Sequence, residues 1–395
     1  MPRIIIVGAG IVGLTLGQAL RSQNIPFTIS ERDKDAEMRE QGWAITLHWA
    51  LPLLQKMLPQ ELMAEIQKCQ VNAEVAGNDT RDFKFVNLKD CSQIHNTSSG
   101  ERWRLDRGKL RLALLDGLDG HVRWNKHVES VEHQKDLTKI QCSDGSSHIA
   151  DIVIGADGSR SAIREFLCPE THAVTPLPFR MLGVRTELTE EQVAPLRAID
   201  PLLFQGSEPG TNNFLYCSLL GAPKQKTSSC TVQFNMSWPK SSNNKEEVFP
   251  DDATRLAALK LRARGLDPCL RNPIESIAEG TPVVEVILAD RKFVPWDSPD
   301  CVTLVGDAAH PMTMFRGEAA NHGILDAYDL LKHLQLICSG ECQKQDTMRM
   351  YKRRLTERAP DATLASRRAC EDAHHYPVDK DSPLVTERTM PLQFA

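Results

Sequence analysis

Three glycines and one carboxylate near the amino terminus have the spacing of a dinucleotide-binding turn. The glycines form a Gly8-x-Gly10-x-x-Gly13 pattern, and Glu31 lies eighteen residues beyond Gly13. Gly8 would allow a tight turn, Gly10 would let backbone N–H groups approach a pyrophosphate, and Gly13 would let a helix pack against a strand. A carboxylate at this distance can accept hydrogen bonds from free ribose hydroxyls. The pattern therefore predicts FAD or NAD, rather than NADP, at this turn.

Two aspartates further along the chain also follow apolar runs that predict strands. Asp157 comes after residues 151–154, within a Gly-Ala-Asp-Gly sequence, and Asp307 comes after residues 301–305. Asp307 also precedes a helix predicted from residue 318 or 319 to about 337, where it could bind a ribityl hydroxyl. For Asp157, a simple Asp-Gly turn without a ligand is the alternative.

The elements around the glycine-rich turn determine whether it can bind phosphate. Residues 4–7 are continuously apolar and β-branched, which is typical of a strand buried on both faces. A buried helix follows the turn, and residues 27–30 form a second strand that ends at Glu31. This βαβ order brings a helix amino terminus, with its positive dipole end, to the turn.

The composition excludes several other classes of protein. The 395 residues are 41% hydrophobic and 25% charged, which is typical of a folded globular chain. A net charge of −5 disfavours a nucleic-acid partner, and the apolar runs are too short for a transmembrane helix. The eleven cysteines contain no C-x-x-C pair, so we expect reduced thiols in a cytoplasmic protein and no metal site.

Taken in order, these motifs resemble those of the flavoprotein monooxygenases related to p-hydroxybenzoate hydroxylase, which include salicylate hydroxylases and fungal secondary-metabolite enzymes. Leu288-Ala289-Asp290-Arg291 and Trp296 add to the resemblance, which covers nearly the whole chain. It implies bound FAD, NADPH or NADH as a transient reductant, and O₂ and a small-molecule substrate as partners. One oxygen atom would enter an aromatic or polycyclic natural product through a flavin C4a-hydroperoxide. Hydroxylation, epoxidation and Baeyer–Villiger insertion stay open.

The resemblance also implies roles for individual residues toward FAD. Glu31 would bind the adenosine ribose, Asp157 would link FAD and pyridine nucleotide binding, and Asp307 would hold the ribityl chain. The remaining residues expected at the cofactor are two arginines, for which a surface position is the alternative, and the loop against the flavin ring: Arg39, Arg107, Pro311, Gly317, Ala319, Ala320 and Asn321. Ala319 replaces a glycine that is usual in the family, and alanine would be strained there if φ were positive.

Three side chains are candidates for catalysis or substrate orientation. His48 could transfer a proton because its ordinary pKa is near neutrality, although a lone histidine more often packs or caps. Tyr216 could orient a phenol-like group, with a core tyrosine as its alternative, and Arg185 is a weaker candidate.

The expected architecture is an α/β fold with a Rossmann-like FAD-binding domain and a discontinuous, sheet-rich substrate domain. The first would comprise residues 1–70, 100–170 and 285–340, and the second residues 75–98 and 171–284. Residues 345–395 would form a carboxyl-terminal helical segment, and the protein would be a monomer or homodimer. A flavin-dependent dehydrogenase or reductase, and a non-catalytic nucleotide sensor, are the alternative functions.

Overall fold

A computed structural model describes residues 1–38, 43–72, 81–221, 229–241, 248–297 and 299–391. The strands are β1 (Ile4–Val7), β2 (Phe27–Ser30), β3 (Ala44–Leu47), β4 (Asp82–Asn87), β5 (Gln93–Ser98), β6 (Trp103–Asp106), β7 (Val122–Arg123), β8 (Val128–Gln134), β9 (Leu137–Cys142), β10 (Ser147–Ala150), β11 (Ile152–Gly155), β12 (Thr175–Pro176), β13 (Phe179–Leu188), β14 (Leu203–Ser207), β15 (Phe214–Gly221), β16 (Cys230–Pro239), β17 (Val283–Val286), β18 (Ala289–Asp290) and β19 (Val302–Leu304). The helices are α1 (Ile11–Ser22), α2 (Leu51–Met57), α3 (Gln60–Lys68), α4 (Arg107–Leu115), α5 (Ala162–Leu167), α6 (Glu190–Ile199), α7 (Asp252–Ala263), α8 (Pro268–Glu275), α9 (Ala319–Ser339) and α10 (Lys344–Ala373).

A five-stranded parallel sheet in the order β19-β11-β1-β2-β7 forms the centre of the first half of the fold. Its middle strand, β1, is fully buried because its Ile-Ile-Ile-Val sequence packs apolar side chains on both faces. Ile4 of β1 pairs with Ile152 on one side and with Phe27 on the other. The helices α1, α4 and α9 contribute apolar residues to the same core. This is the Rossmann-like, mixed α/β arrangement that the sequence predicts.

A seven-stranded sheet in the order β17-β13-β16-β15-β14-β4-β5 forms the second half. Alternate residues of β16 point to opposite sides, as the pleat requires. Val232 and Phe234 pack in the core that α6, α7 and α8 cover, whereas Gln233 and Asn235 line a cavity on the other side. The sheet therefore has one apolar, helix-covered face and one face that is partly polar and opens onto the cavity.

Three smaller sheets accompany the two large ones, and one of them is a short antiparallel pair of β12 and β18. Strands β8, β9 and β10 form an antiparallel meander. Strands β3 and β6 form a two-stranded antiparallel ribbon, in which Thr46 pairs with Arg104. This ribbon places side chains from two distant stretches of sequence beside the cavity.

The carboxyl-terminal segment packs against the cavity-facing side of the seven-stranded sheet. Ala369 and Cys370 of α10 share a core with Leu384 and Val385, which follow the helix, and with Phe214 of β15. The predicted domain boundaries stay a prediction. Strand β17 pairs with β13 and so belongs to the second sheet. It spans residue 284, where the sequence places the end of the substrate domain.

Candidate active site

Four parallel strands bring the predicted motifs to a single edge of the sheet. The strands β1, β2, β11 and β19 end at Val7, Ser30, Gly155 and Leu304. The glycine-rich turn, Glu31 and the two aspartates follow these ends directly. They line one cavity of about 880 Å³, which extends to the face of the seven-stranded sheet. Residues separated by some 300 positions in sequence are therefore brought into one site.

The glycine-rich turn has room for a phosphate on its cavity side. Gly8 has a φ of +110°, and a Cβ there would lie 2.5 Å from the Ala156 carbonyl oxygen. A Cβ on Gly13 would lie 2.1 Å from the Gly8 oxygen, so that position needs glycine for packing. Gly10, the amino-terminal cap of α1, lines the cavity, and a Cβ there would meet no atom of the described residues within 4 Å. The helix start is thus open to a ligand.

Glu31 is buried at the end of β2 and bends toward the glycine-rich turn. Its Oε2 accepts a hydrogen bond from the Ala9 N–H, and its Oε1 accepts one from the Asp33 N–H at 3.0 Å. Arg111 supports the same turn, because its Nε donates to the Ala9 carbonyl at 3.1 Å and its Nη1 donates to the Ala36 carbonyl at 2.7 Å. The carboxylate and the turn are therefore held as one unit.

Asp157 combines a structural bond with an unpaired oxygen. Its Oδ2 accepts a hydrogen bond from the Ala162 N–H at 2.8 Å at the start of α5. Its Oδ1 is buried and has no hydrogen-bond partner among the described residues, and the residue lines the cavity. Burial raises the pKa of Asp157, and the hydrogen bonds from Ser161 and the helix start offset part of this shift. The unpaired oxygen is available to a ligand.

Arg164 connects the second and third motifs. Its Nη1 donates to the Ala308 carbonyl at 2.9 Å and to the Asp307 carbonyl at 3.3 Å, and its Nε donates to the His172 carbonyl at 2.8 Å. This buried guanidinium fixes the loop after β19 against α5. The Asp307 side chain lies at the cavity surface, with protein atoms around the rest of it. Desolvation by these protein atoms raises the pKa of Asp307, and nearby positive charges, including Arg107, offset part of this shift.

Asp326 of α9 holds the same loop from behind. Its Oδ2 accepts a hydrogen bond from the Gly306 N–H at 2.6 Å and lies 2.7 Å from His310 Nε2, while Arg358 contacts its other oxygen. Burial lowers the pKa of His310 to about 3, so the ring is neutral. Asp326 and Arg358 carry no recognisable motif, and their pairing depends on the packing of α9 against α10.

The loop before α9 places some predicted residues at the cavity and others behind it. Gly317 has a φ of +65°, and Ala319 and Ala320 are the first two residues of α9; all three line the cavity. Ala319 has a helical backbone, so alanine is unstrained where the family usually has glycine. Pro311 and Asn321 are buried behind the lining. Asn321 instead joins α9 to β3, since its Nδ2 donates to the Thr46 carbonyl at 3.0 Å.

The part of the cavity against the seven-stranded sheet, here called the sheet-side chamber, combines aromatic and cationic side chains. Its aromatic, amide and arginine members are Trp43, Phe83, Phe214, Tyr216, Phe315, Gln205, Gln233, Asn235, Arg104, Arg316 and Arg388. The Arg104 guanidinium carbon lies 5.6 Å from the Tyr216 ring centroid. The Arg388 guanidinium carbon lies 3.9 Å from the Phe83 ring centroid. Such a chamber suits an apolar ring that carries a polar group.

The predicted catalytic residues lie in different parts of the structure. Tyr216 lines the sheet-side chamber, whereas His48 is buried behind β3 and outside the lining. Burial and nearby arginines lower the pKa of His48 to about 3, and neither ring nitrogen has a hydrogen-bond partner among the described residues. Arg185 lies on β13 opposite Gln233 and is not among the described lining residues. Arg39 lies outside the described residues. Catalytic roles for His48, Tyr216 and Arg185, and the cofactor-binding role of Arg39, stay predictions.

Sequence reasoning named Arg107, which lines the cavity, but missed other arginines that support or line it. Arg104 lies in the fully buried strand β6, and Arg388 comes from the tail after α10. The burial of β6 could have been inferred from Trp103 and Leu105, and a charged residue between them was a usable signal. Arg388 had no such signal, because its position depends on how the tail folds back.

Comparisons with known proteins decide the class of protein. The family model described as an FAD binding domain matches residues 2–366. The chain is 39% identical over 343 residues to FAD-dependent monooxygenase dbaB of Emericella nidulans, a match that covers 84% of this chain and 86% of the relative. The chain belongs to the FAD-dependent monooxygenases. The family of fungal secondary-metabolite enzymes and the FAD cofactor inferred from the sequence are confirmed.

Solved structures agree on the fold. A 2,6-dihydroxypyridine-3-hydroxylase from Arthrobacter nicotinovorans aligns with a TM-score of 0.77 at 16% identity, over 99% of this chain and 98% of that one. HpxO of Klebsiella pneumoniae, complexed with FAD and uric acid, aligns with a TM-score of 0.76 at 20% identity, over 95% of this chain and 89% of that one. In the described part of this chain, no helix has the length and apolar composition that a bilayer crossing requires.

Proposed function

We propose that the FAD of this monooxygenase lies along the cavity from the glycine-rich turn to the loop before α9, and that its substrate enters the sheet-side chamber. The convergence of three separated motifs on one cavity carries this proposal. The open start of α1 at Gly10 and the unpaired Asp157 oxygen fit a ligand that is rich in phosphate and hydroxyl groups. Bound FAD supplies acceptance of a hydride from NAD(P)H and activation of O₂.

At the amino-terminal turn, the protein binds and orients the ADP half. The N–H groups at the start of α1 and the helix dipole would stabilise the pyrophosphate. Glu31 would accept hydrogen bonds from the adenosine ribose, and Arg107 would add positive charge nearby. Asp307, which is open to the cavity, would bind the ribityl chain. The bracing of the turn by Arg111 keeps these groups in place before the cofactor arrives.

At the other end, the protein controls charge and water around the reacting ring. The first turn of α9, at Ala319 and Ala320, directs a positive helix end toward the cavity and would stabilise negative charge on the ring. The aromatic side chains of the sheet-side chamber would exclude water from the reaction. Tyr216 would orient a phenol-like group of an aromatic or polycyclic substrate. No observation favours the alternative of a dehydrogenase or reductase.

One set of measurements tests the proposal. The purified protein should show a flavin absorbance spectrum, and a substrate should stimulate NADPH or NADH oxidation together with equimolar O₂ uptake and oxygenated product. A colourless protein that added FAD cannot reconstitute would overturn it. Substrate oxidation without oxygen incorporation from ¹⁸O₂ would instead indicate the dehydrogenase.

Three finer predictions go with this proposal. Arg32, which lines the cavity, supplies positive charge for a 2′-phosphate and so favours NADPH over NADH as the reductant. A cytoplasmic location agrees with the eleven cysteines, all of which are free thiols. A monomeric or homodimeric state can be measured by light scattering.

A further inference from the structure

Two cysteine thiols meet beside the helix-covered core of the seven-stranded sheet. Cys91 lies in the loop that joins β4 to β5, and Cys269 lies in the first turn of α8; both pack against this core. Their Sγ atoms are 2.8 Å apart, although 178 positions separate the two residues in sequence. Non-bonded carbon atoms pack at about 3.5–4.0 Å and sulfur is larger, so the thiols are closer than ordinary packing requires. A disulfide, with an S–S bond of about 2.05 Å, needs only about 0.8 Å of further approach.

Hydrogen bonds fix the backbone on both sides of this contact. The Asp267 N–H, just before α8, donates to the Leu88 carbonyl at 2.8 Å and so joins the helix start to the loop. The Cys91 N–H donates to the Asn87 carbonyl at 2.9 Å. The Cys269 N–H donates to Asp267 Oδ1 at 2.8 Å. Because both backbone segments are already in place, the two sulfur atoms can bond through a small change in side-chain torsions.

Both thiols are accessible to a small oxidant. Cys91 and Cys269 are half-buried, whereas most of the other cysteines are buried. In the described part of the chain, no other two thiols are in hydrogen-bonding contact. The contact with Cys91 raises the pKa of Cys269, and burial and Asp267 add to this shift, so Cys269 stays protonated at neutral pH. The pair is thus a reduced dithiol whose sulfur atoms are close enough to be oxidised to a disulfide.

A metal ion fits the same atoms less well. The Asp267 carboxylate and the two sulfurs lie within 4.8 Å of one another, so they form a group that could hold a cation. Two thiolates bound tetrahedrally to zinc at about 2.3 Å lie about 3.8 Å apart, so the sulfurs would have to separate by about 1 Å. The described residues offer three ligands, whereas a structural zinc site has four. The geometry therefore favours a bond between the sulfurs.

We propose that Cys91 and Cys269 form a reversible disulfide when hydrogen peroxide oxidises them, and that this bond fastens the β4–β5 hairpin to α8. Cys91, once ionised, attacks a peroxide oxygen; the O–O bond breaks, a sulfenic acid forms, and the released hydroxide takes up a proton. The Cys269 sulfur then attacks the oxidised sulfur; the S–S bond forms, the S–O bond breaks, and a second water leaves with the Cys269 proton. The thiols lose two electrons and two protons in total, which reduce the peroxide to two molecules of water.

The oxidant can arise from the reaction of the enzyme itself. When NAD(P)H oxidation is not followed by oxygen insertion into a substrate, both electrons pass to O₂ and the product is hydrogen peroxide. Disulfides of cytoplasmic proteins are mostly transient, and many of them respond to oxidants. The cytoplasmic location that the cysteines predict therefore agrees with a reversible bond rather than a permanent one.

The hairpin that the disulfide would fasten supports the cavity and the carboxyl-terminal tail. Phe83 of β4 lines the cavity. In β5, Thr97 Oγ1 donates to the Val385 carbonyl, and His95 Nε2 lies 3.3 Å from the Val378 carbonyl oxygen. A covalent link between residues 178 positions apart closes a long loop, which restricts the unfolded chain more than a short loop does. The bond should therefore stabilise this edge of the sheet.

Peptide mapping of the FAD-containing protein tests whether the bond forms. The reduced protein is treated with hydrogen peroxide, the remaining thiols are alkylated with iodoacetamide, and the chain is cleaved with trypsin. Trypsin releases Cys91 in residues 90–102 and Cys269 in residues 265–271, and neither peptide contains another cysteine. We expect the two peptides to be joined, with a mass two hydrogen atoms below their sum, and to separate after treatment with dithiothreitol. If the folded protein yields the two peptides only singly, alkylated or over-oxidised, the proposal is overturned.

Thermal unfolding tests what the bond does. Oxidation should raise the Tm of the wild type by about 4–10 °C relative to the protein treated with dithiothreitol. Cys91→Ser and Cys269→Ser should each lack the linked peptide and the rise in Tm. Cys342→Ser removes an exposed thiol elsewhere, so it is the matched control and should retain both. A linked peptide without a rise in Tm would contradict the stabilising role, and the wild-type peptide map stays decisive even if a serine variant folds poorly.

Zinc binding is the competing result. The reduced protein is incubated with zinc chloride, separated from free metal by gel filtration and analysed for zinc by mass spectrometry. We expect the wild type and Cys91→Ser to retain the same amount of zinc. One equivalent of zinc that the wild type retains and Cys91→Ser loses would assign the site to a metal and overturn the disulfide.

This inference goes beyond the proposed function and does not rest on it, because the peroxide in the test is added. Flavin absorbance is recorded on the same samples. A protein that cannot bind FAD would contradict the proposed function, whereas a flavin-containing protein whose two peptides stay separate would contradict the disulfide alone.

Discussion

Replacing Gly10 by alanine should separate cofactor binding from folding. Gly10 has φ −80° and ψ 178°, which alanine adopts without strain, and a Cβ there meets no atom of the described chain within 4 Å. Alanine caps a helix less well than glycine, at a cost of about 0.5–1 kcal/mol. It also reduces the entropy of the unfolded chain, which contributes about 0.4–1 kcal/mol in the opposite direction. The free energy of unfolding of the FAD-free protein should therefore change by less than about 0.5 kcal/mol.

The same methyl group should weaken FAD binding strongly. It would occupy the space through which a pyrophosphate reaches the backbone N–H groups at the start of α1. Loss of one charge-assisted hydrogen bond corresponds to about 1.5–3 kcal/mol, and so to about a 10- to 100-fold weaker affinity. Quenching of FAD fluorescence on titration with the FAD-free protein measures the affinity, and urea unfolding of the same samples measures stability.

Two other glycines provide the controls. Gly265→Ala also places a Cβ in open space, but outside the cavity lining, and should leave FAD affinity unchanged. Gly13→Ala places a Cβ 2.1 Å from the Gly8 carbonyl oxygen and should lower both stability and FAD affinity. If Gly10→Ala bound FAD as tightly as wild type, the phosphates could not lie at this turn, and our placement of the cofactor would be wrong.

Three further predictions concern other parts of the site. Glu31→Gln should weaken FAD retention about tenfold, measured by flavin remaining after dialysis; unchanged retention would reject the ribose role. Ala319→Gly should lower the free energy of unfolding by about 0.5–1 kcal/mol, because residue 319 is helical, and should not raise the affinity for FAD. A gain in FAD affinity would show that a glycine backbone is needed there. The pKa of His48 is about 3 in the folded protein, against an ordinary value of 6.5. As the pH drops below about 6.5, the unfolded chain binds a proton at His48 and the folded chain does not, so the free energy of unfolding decreases. His48→Gln should therefore reduce acid destabilisation in urea unfolding at pH 5 relative to pH 8, and an unchanged pH dependence would contradict the buried neutral ring.

The nucleotide half of the fold was predictable because its signals are local. The apolar run before Gly8, the spacing of the three glycines and the acid at residue 31 lie within one βαβ unit, and the parallel sheet follows from its strands being buried on both faces. The two aspartate motifs each follow such a strand. Parallel strands end at a common edge, so their convergence on one cavity followed from the same reasoning.

The other half of the site depends on contacts that no local pattern encodes. Arg104 and Arg388 are separated by more than 280 positions and reach the cavity from a two-stranded ribbon and from the carboxyl-terminal tail. Asn321 carries a family motif, yet its side chain bonds to the backbone of β3 instead of lining the cavity. A motif thus predicted which loop lies at the site, and packing decided which side chains face it.

The position of Arg388 determines when the cavity can be completed during protein synthesis. The glycine-rich turn and the five parallel strands have all left the ribosome before residue 388 is translated, since the last of them ends at Leu304. One cationic wall of the chamber is added only when the tail folds back over Phe83. A nascent chain could therefore acquire its nucleotide-binding half first and its complete substrate chamber last.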